Sequence, residues 1–329
     1  MRKAIALGLI LILLLGLSGC AGKQEPAGDN ASIVVGFSQL GAESSWRIAN
    51  TASMTAALSE ANGYELLFDN AKQRQENQLL AIRNFIQQDV DYIVLAPITE
   101  SGWDDVLQEA KGSGIPVIIV DRRIAVSDDS LYTSWVGSDF LAEGRRAVRW
   151  LEEQLQAQGR EQEPLRILHI QGTYGATAQL LRTRALTEAV ETHPNWKIVA
   201  QLPGEYTEAK SYELMRDFLQ TGQEIDVIYS ENDNMSFGAV RALEEAGIPC
   251  GGEGEIMVLS FDAVRRALEF CRDGKISLCV ECNPLHGPRV AALLQQLENG
   301  STPAKLTFVD ELAFDREMLT DDMIRDREY

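Results

Sequence analysis

Short runs of β-branched and apolar residues alternate with longer segments whose apolar positions recur every 3.6 residues or so, and this alternation governs the chain from residue 32 onward. It predicts strands at 32–37, 65–69, 92–96 and 117–120, with helices at 46–61, 76–88 and 106–111. In the second of these helices Leu79, Leu80, Ile82, Phe85 and Ile86 fall on one helical period. The run 117–120, Val-Ile-Ile-Val, is apolar at every position, so both faces of that strand need cover, as in a parallel sheet wrapped by helices. Gly63, Pro97, Gly114 and Pro116 punctuate the joins. After Asp139 the rhythm restarts with a long helix through Trp150 and Leu151 that ends near Gly159. Strands at 166–170, 197–202, 227–230, 257–261 and 277–281 follow, separated by helices at 178–192, 209–220 and 235–246. Two successive sets of βαβ units predict an α/β fold of two doubly wound parallel-sheet domains. No low-complexity linker separates the sets, which predicts a hinge of several strands.

A chain of 329 residues, 45% apolar, has room for two such domains. Its formal charge of −19 repels phosphate backbones and anionic lipid, which argues against a nucleic-acid partner or a basic membrane-surface patch. Abundant Leu, Ala, Val and Ile exclude a disordered acidic tail as the main content.

The N-terminus changes the picture of where the protein works. Met1, Arg2 and Lys3 precede an apolar run at 4–17. That run falls short of the roughly 20 residues a membrane span needs and suits the apolar core of a signal peptide. It closes on Leu17, Ser18, Gly19 and Cys20, which resembles the lipobox of bacterial lipoproteins, where cleavage before the Cys follows its attachment to diacylglycerol. Residues 1–19 are therefore expected to be a leader. Residues 20–31 are expected to be the lipidated Cys and a flexible tether. The rest is expected on the extracytoplasmic face of the bacterial membrane, held there through the lipid alone.

In open α/β sheets ligands sit outside the carboxyl ends of the strands. Ser38, Gln39, Glu43, Trp46 and Arg47 follow the first strand, and Asp121 and Arg122 follow 117–120. The loop 172–176 leads to Arg182, Asn232 and Asp233 follow 227–230, Asp262 follows 257–261, and Cys282 and Asn283 follow 277–281. Carboxylates, amides and guanidinium groups hold hydroxyls that both donate and accept, while an aromatic covers the CH face of a ring. The set suits a neutral polyhydroxylated ligand. Asp233 has a second reading as a helix cap, and Trp46 as a core residue at a helix start.

Other chemistries find less support. Cys250, Cys271, Cys279 and Cys282 leave a disulfide open, but the lone C-x-x-C lies on a strand, and His169, His193 and His286 have no ligand spacing, so no metal is expected. Gly172-Thr173-Tyr174-Gly175 lacks the Lys-Ser/Thr of a phosphate-binding loop, and no Gly-x-Ser-x-Gly elbow is present. Asp121 and Asp262 are conceivable as a glycosidase pair, but Arg122 beside Asp121 should keep it ionised and disfavours it as an acid. No enzyme activity, catalytic residue or cofactor is expected.

From 32 onward the chain resembles the type I, ribose-binding branch of periplasmic sugar-binding proteins of ABC importers. The resemblance rests on Asp121-Arg122 after an apolar strand, Asn232-Asp233 before Met235 and Gly238, and Ser260-Phe261-Asp262 where the family usually has Gly-Phe-Asp-Gly. Gln78, Phe85, Ile86, Val90, Asp91 and Pro97 also fit. The first loop, Gly36-Phe37-Ser38-Gln39 with Gly41, Glu43, Ser44, Trp46 and Arg47, is similar to the galactofuranose-binding subgroup. Ala263 departs from the family's Gly, and Cys282 stands where ribose binders place a ligand-contacting Gln. The resemblance implies a monosaccharide ligand held by Ser38, Glu43, Trp46, Arg47, Asp121, Arg122, Arg182, Asn232, Asp233, Asp262 and Cys282. It further implies an ABC importer permease and ATPase as partners, a monomer, and domains at 32–138 plus 283–309 and at 139–282 plus 310–329. The alternative is a sensor that presents its loaded surface to a receptor kinase, or a binder of a signalling furanose of the autoinducer-2 type.

Overall fold

Four consecutive apolar residues form β4 (Val117–Val120) of the computed structural model, and all four are buried, as a strand covered on both faces requires. The structure describes residues 32–252 and 255–329; the expected leader, the expected lipidated Cys20 and the expected tether lie outside the described residues. In chain order β1 (Ile33–Gln39), α1 (Ser45–Ala57), β2 (Tyr64–Asn70), α2 (Gln75–Gln87), β3 (Tyr92–Leu95), α3 (Asp104–Gly112), β4 and β5 (Ser134–Gly137) build the first lobe. The chain crosses to a second lobe at α4 (Phe140–Ala157), followed by β6 (Leu165–Gln171), α5 (Thr177–Thr192), β7 (Trp196–Pro203), α6 (Glu208–Leu219), β8 (Val227–Ser230) and α7 (Asp233–Glu245). That lobe continues with β9 (Met257–Asp262), α8 (Arg265–Arg272) and β10 (Leu278–Glu281). A second passage leads to α9 (Gly287–Glu298) and β11 (Leu306–Phe308), a third to β12 (Ala313–Phe314) and α10 (Asp321–Arg325).

Two six-stranded sheets result, ordered β11-β5-β4-β3-β1-β2 and β12-β10-β9-β8-β6-β7. Each is packed on both faces. Val35, Phe37 and Val94 meet Val290 and Leu294 of α9 on one side of the first sheet, while Ile93 and Ile119 meet Ile82 and Phe85 of α2 on the other. The second sheet is enclosed in the same way, by α4 and α5 on one face and α7 and α8 on the other. Among the described residues no helix is long and apolar enough to cross a membrane.

Several elements escape the hydrophobic pattern. β11 and β12 are too short to show a period, β5 is a Ser-Trp-Val-Gly run without the continuous apolar character of β4, and α8 carries three arginines in eight residues. α9 opens on Gly287 and Pro288, which read as a loop, although Pro in a first helical turn is favourable. β12 also corrects the purely parallel expectation, because it pairs antiparallel with β10. It enters from the third passage and needs no crossover helix.

Candidate ligand-binding cleft

Ser44 caps α1, its hydroxyl accepting the Arg47 N–H at 3.1 Å, and so fixes the first turn that carries Trp46 and Arg47. Both are buried. Trp46 Nε1–H donates to the carbonyl of Cys282 at 2.6 Å, joining the first lobe to the end of β10. Arg47 lies 4.5 Å over the Trp46 ring and donates from Nη2 to Asp121 Oδ2 at 2.7 Å and from Nε to Glu43 Oε1 at 3.3 Å. Asp121 leaves β4 with a left-handed φ of 65°, a conformation Asp tolerates better than most residues. Burial pushes its carboxyl up, but Arg47 and Arg122 outweigh that and hold it below the usual carboxylate range. Arg122 donates from Nη1 to the Ile98 carbonyl at 2.7 Å and lies 5.3 Å over the Tyr206 ring.

In the second lobe α5 supplies Arg182. Its Nε donates to Glu143 Oε2 at 2.8 Å and its Nη1 to the Glu231 carbonyl at 2.5 Å, while Nη2 stands 3.8 Å from Asp262 Oδ1. Asn232 caps α7 by accepting the Met235 N–H at 2.9 Å, and its amide donates to the Tyr206 carbonyl at 3.3 Å. Tyr206 follows β7 with φ 64°, its ring seated on Gly172, where a Cβ would lie 1.9 Å from Tyr206 Cζ. Asp262 and Ala263 both have positive φ, 109° and 57°. Burial first, and the neighbouring Asp233 second, push the Asp262 carboxyl well above its usual range against the pull of Arg182.

These residues meet in one cleft between the lobes. Glu43, Ser44, Trp46, Arg47, Asp121 and Arg122 line one wall, and Phe140, Ala178, Arg182, Tyr206, Asn232, Asp262 and Cys282 the other. The atom-free space between these walls, solvent at its open mouth included, is about 300 Å³. The lobes touch beside it: the Ser45 N–H donates to Asn234 Oδ1 at 3.0 Å and the Arg123 N–H to Thr177 Oγ1 at 2.9 Å.

Nine of the eleven residues expected from the sequence line this cleft. Ser38 does not; it is buried in β1. Asp233 does not either, since its carboxylate accepts the Ser260 hydroxyl and, at 2.8 Å, the Val264 N–H behind the cleft wall. Nor does it cap α7, a role taken by Asn232. Phe140, Ala178 and Tyr206 were not singled out in the sequence, and Ser44 was named only as part of the first loop. Tyr206 follows a strand end, the signal that located the others, but β7 is half-exposed and weakly patterned.

The charges in the cleft pair off. Arg47 has Asp121, Arg182 has Glu143 at 2.7 Å, and Glu43 stands 4.0 Å from Arg122. Burial works against a charge on Asp262, while Arg182 Nη2 at 3.8 Å favours it, so the charged groups of the cleft face partners within the protein. Three polar atoms of the lining are buried without a hydrogen-bond partner among the described residues: Glu43 Oε2, Arg47 Nη1 and Tyr206 Oη. They offer an acceptor, a donor and a group that does both.

Cys250, Cys271, Cys279 and Cys282 are all free thiols. The two sulfurs of the C-x-x-C serve different neighbours: Cys279 Sγ donates to the Ala267 carbonyl at 3.4 Å, while Cys282 Sγ lies 3.3 Å from Ser138 Oγ. Burial pushes both thiols well above their ordinary range, the opposite of what redox or metal chemistry needs.

A model of the periplasmic binding protein domain matches residues 35–301. The galactofuranose-binding protein of Escherichia coli is 37% identical over 281 residues, covering 84% of this chain and 86% of its own. The binding-protein component of the arabinose ABC transporter from Shewanella sp. ANA-3, solved with α- and β-L-arabinofuranose, superposes with a TM-score of 0.83 at 38% identity, covering 90% of this chain and 95% of that one. A Mycobacterium smegmatis protein in complex with β-D-fucofuranose gives 0.82 at 39% identity, covering 87% and 92%.

Proposed function

The chain belongs to the periplasmic binding protein domain family, and from that premise we propose that it is an extracytoplasmic sugar-binding protein that captures a monosaccharide in furanose form, galactofuranose foremost, and delivers it to an ABC importer. The observation that carries the reading is the trio of unpartnered buried atoms on the cleft lining, Glu43 Oε2, Arg47 Nη1 and Tyr206 Oη. Each costs about 1–3 kcal/mol to leave buried and unpaired, so a hydroxylated ligand that satisfies all three is strongly favoured over one that satisfies none. Trp46 and the stacked Arg47 add a flat face for a ring. That the named relatives bind arabinofuranose, fucofuranose and galactofuranose supports a five-membered ring as the common element.

Binding works by hinge closure. The cleft walls come from different lobes, so a ligand completes its contacts only when the lobes meet, and its binding energy shifts the population toward the closed form. The closed protein then docks on the permease as a monomer, tethered by a lipid on Cys20 after removal of residues 1–19. Its lobes are taken as 32–138 plus 283–309 and 139–282 plus 310–329. The protein binds its sugar without transforming it.

A thermal-shift screen of the leader-free protein against pentoses, hexoses and fixed furanose forms tests the reading. Furanoses are expected to raise the melting temperature of the wild type and to lose that effect in Arg182→Ala. No shift with any sugar would contradict it.

A further inference from the structure

All three passages of the chain between the lobes converge on one carboxyl group. Glu311, in the third, accepts the Ser138 hydroxyl of the first at 2.5 Å and the Asn283 N–H of the second at 2.7 Å, both on Oε1. Glu143, in the first turn of α4, completes the cluster: a carboxyl oxygen of Glu143, one of Glu311 and the Cys282 sulfur lie within 4.8 Å of one another. Glu143 is 1% exposed and Glu311 9%. Two carboxylates this close in a buried site resist ionising together, so one of them keeps a proton. Glu143 Oε2 receives Arg182 from both Nε and Nη2, at 2.8 and 2.7 Å, which places the charge on Glu143. Its other oxygen, Oε1, is buried without a donor among the described residues. With Glu311 Oε1 taken twice over, Glu311 Oε2 is left to carry the proton.

We propose that Glu143 and Glu311 share a single proton, held on Glu311 and donated to Glu143 Oε1, and that this bond positions Arg182 toward the ligand. The positioning role rests on the sugar reading of the cleft; the shared proton does not. Burial first and Glu143 second push the Glu311 carboxyl up to about 9. The other ionisable groups facing the pair are Arg182 from α5 and Cys282 from the second passage, with Asp262 of β9 beyond Arg182. The thiol is pushed up by burial and then by the two acids, so it stays protonated. Glu281 points elsewhere, accepting from Arg327, Tyr329 and the Leu312 N–H. When Glu311 ionises, a second carboxylate faces Glu143, which must turn away or draw in water, and Arg182 loses its fixed partner. The unfolded chain, with an ordinary carboxyl, releases this proton at lower pH than the folded protein. The associated stability is therefore full below the ordinary carboxylate range and is lost as pH rises through about 9. By linkage, a sugar that prefers the protonated arrangement raises the proton affinity of the pair in return.

Side-chain NMR of the unliganded protein from about pH 6 to about pH 10 tests this without a sugar. The Arg182 Nε–H resonance, assigned by its loss in Arg182→Lys, is expected to shift along a one-proton curve in the wild type and to hold still in Glu311→Gln, where an amide replaces the O–H donor. If Glu311→Gln does not fold, the carbon-13 carboxyl signal of wild-type Glu311 decides: a protonated position at neutral pH supports the proposal and an ionised one overturns it. In calorimetry with galactofuranose, the wild-type Kd is expected to rise by about tenfold between about pH 8 and about pH 10 at full coupling, and to stay flat in Glu311→Gln. Glu143→Gln, which strips Arg182 of its charge partner, is expected to bind weakly at every pH. An Arg182 signal that never titrates, or that titrates equally in Glu311→Gln, overturns the proposal. A titrating signal in a protein that binds no sugar would refute the proposed ligand and support the shared proton.

Discussion

Arg47 makes the densest set of contacts on the first wall, to Asp121, Glu43 and the Trp46 ring, with Nη1 still unpartnered. Truncating it strands the Asp121 carboxylate as well as any hydroxyl it holds, so Arg47→Ala is expected to cost about 2–4 kcal/mol of sugar binding. If Arg47 and Glu43 read the exocyclic diol of a hexofuranose, Arg47→Ala and Glu43→Ala weaken galactofuranose more than any pentose. Equal losses for both sugars in calorimetry would take the discrimination away from this loop. Most of these side chains were legible in the sequence because each follows a strand, and strand ends in a doubly wound sheet face one edge. The partners that orient them were not. Glu143 lies in a helix beyond a lobe crossing, Asp233 stands one position beyond the cleft-lining Asn232, and Ser38 is buried within β1 itself, distinctions that depend on where each backbone turns relative to its strand.

At the scale of elements, the loop after β6 and the loop after β7 form one unit. Gly172 lies directly under the Tyr206 ring, its N–H donates to Glu231 Oε2 at 2.7 Å, and the Glu231 carbonyl in turn holds Arg182. A methyl group at 172 has no room, so Gly172→Ala must displace Tyr206 from the cleft wall. We expect the variant to fold with reduced stability and to lose sugar affinity by at least the roughly 1–3 kcal/mol of one buried hydrogen-bonding group. An unchanged Kd in calorimetry would show that Tyr206 Oη is not a ligand contact. The helices of this region were readable from their 3.6-residue period, but the ring-on-glycine contact was not, since it joins residues from two loops that no periodicity relates.

For the whole molecule, sheet membership follows the hydrophobic rhythm up to β10 with the exception of β5, and the late returns do not follow it. β11 and β12 are three and two residues long and are placed by the partners they find, β5 and β10. The proposed lipid anchor makes a separate prediction. Cys20→Ser is expected to release the protein from the membrane fraction, because residues 20–31 contain no other hydrophobic attachment. A mutant still sedimenting with membranes after leader cleavage would contradict lipidation at that Cys. The most direct test of the protein as a furanose carrier is calorimetric titration of the leader-free wild type with galactofuranose and with ribose under identical conditions. Tighter binding of galactofuranose is expected, while ribose binding equally or more tightly would contradict the furanose assignment.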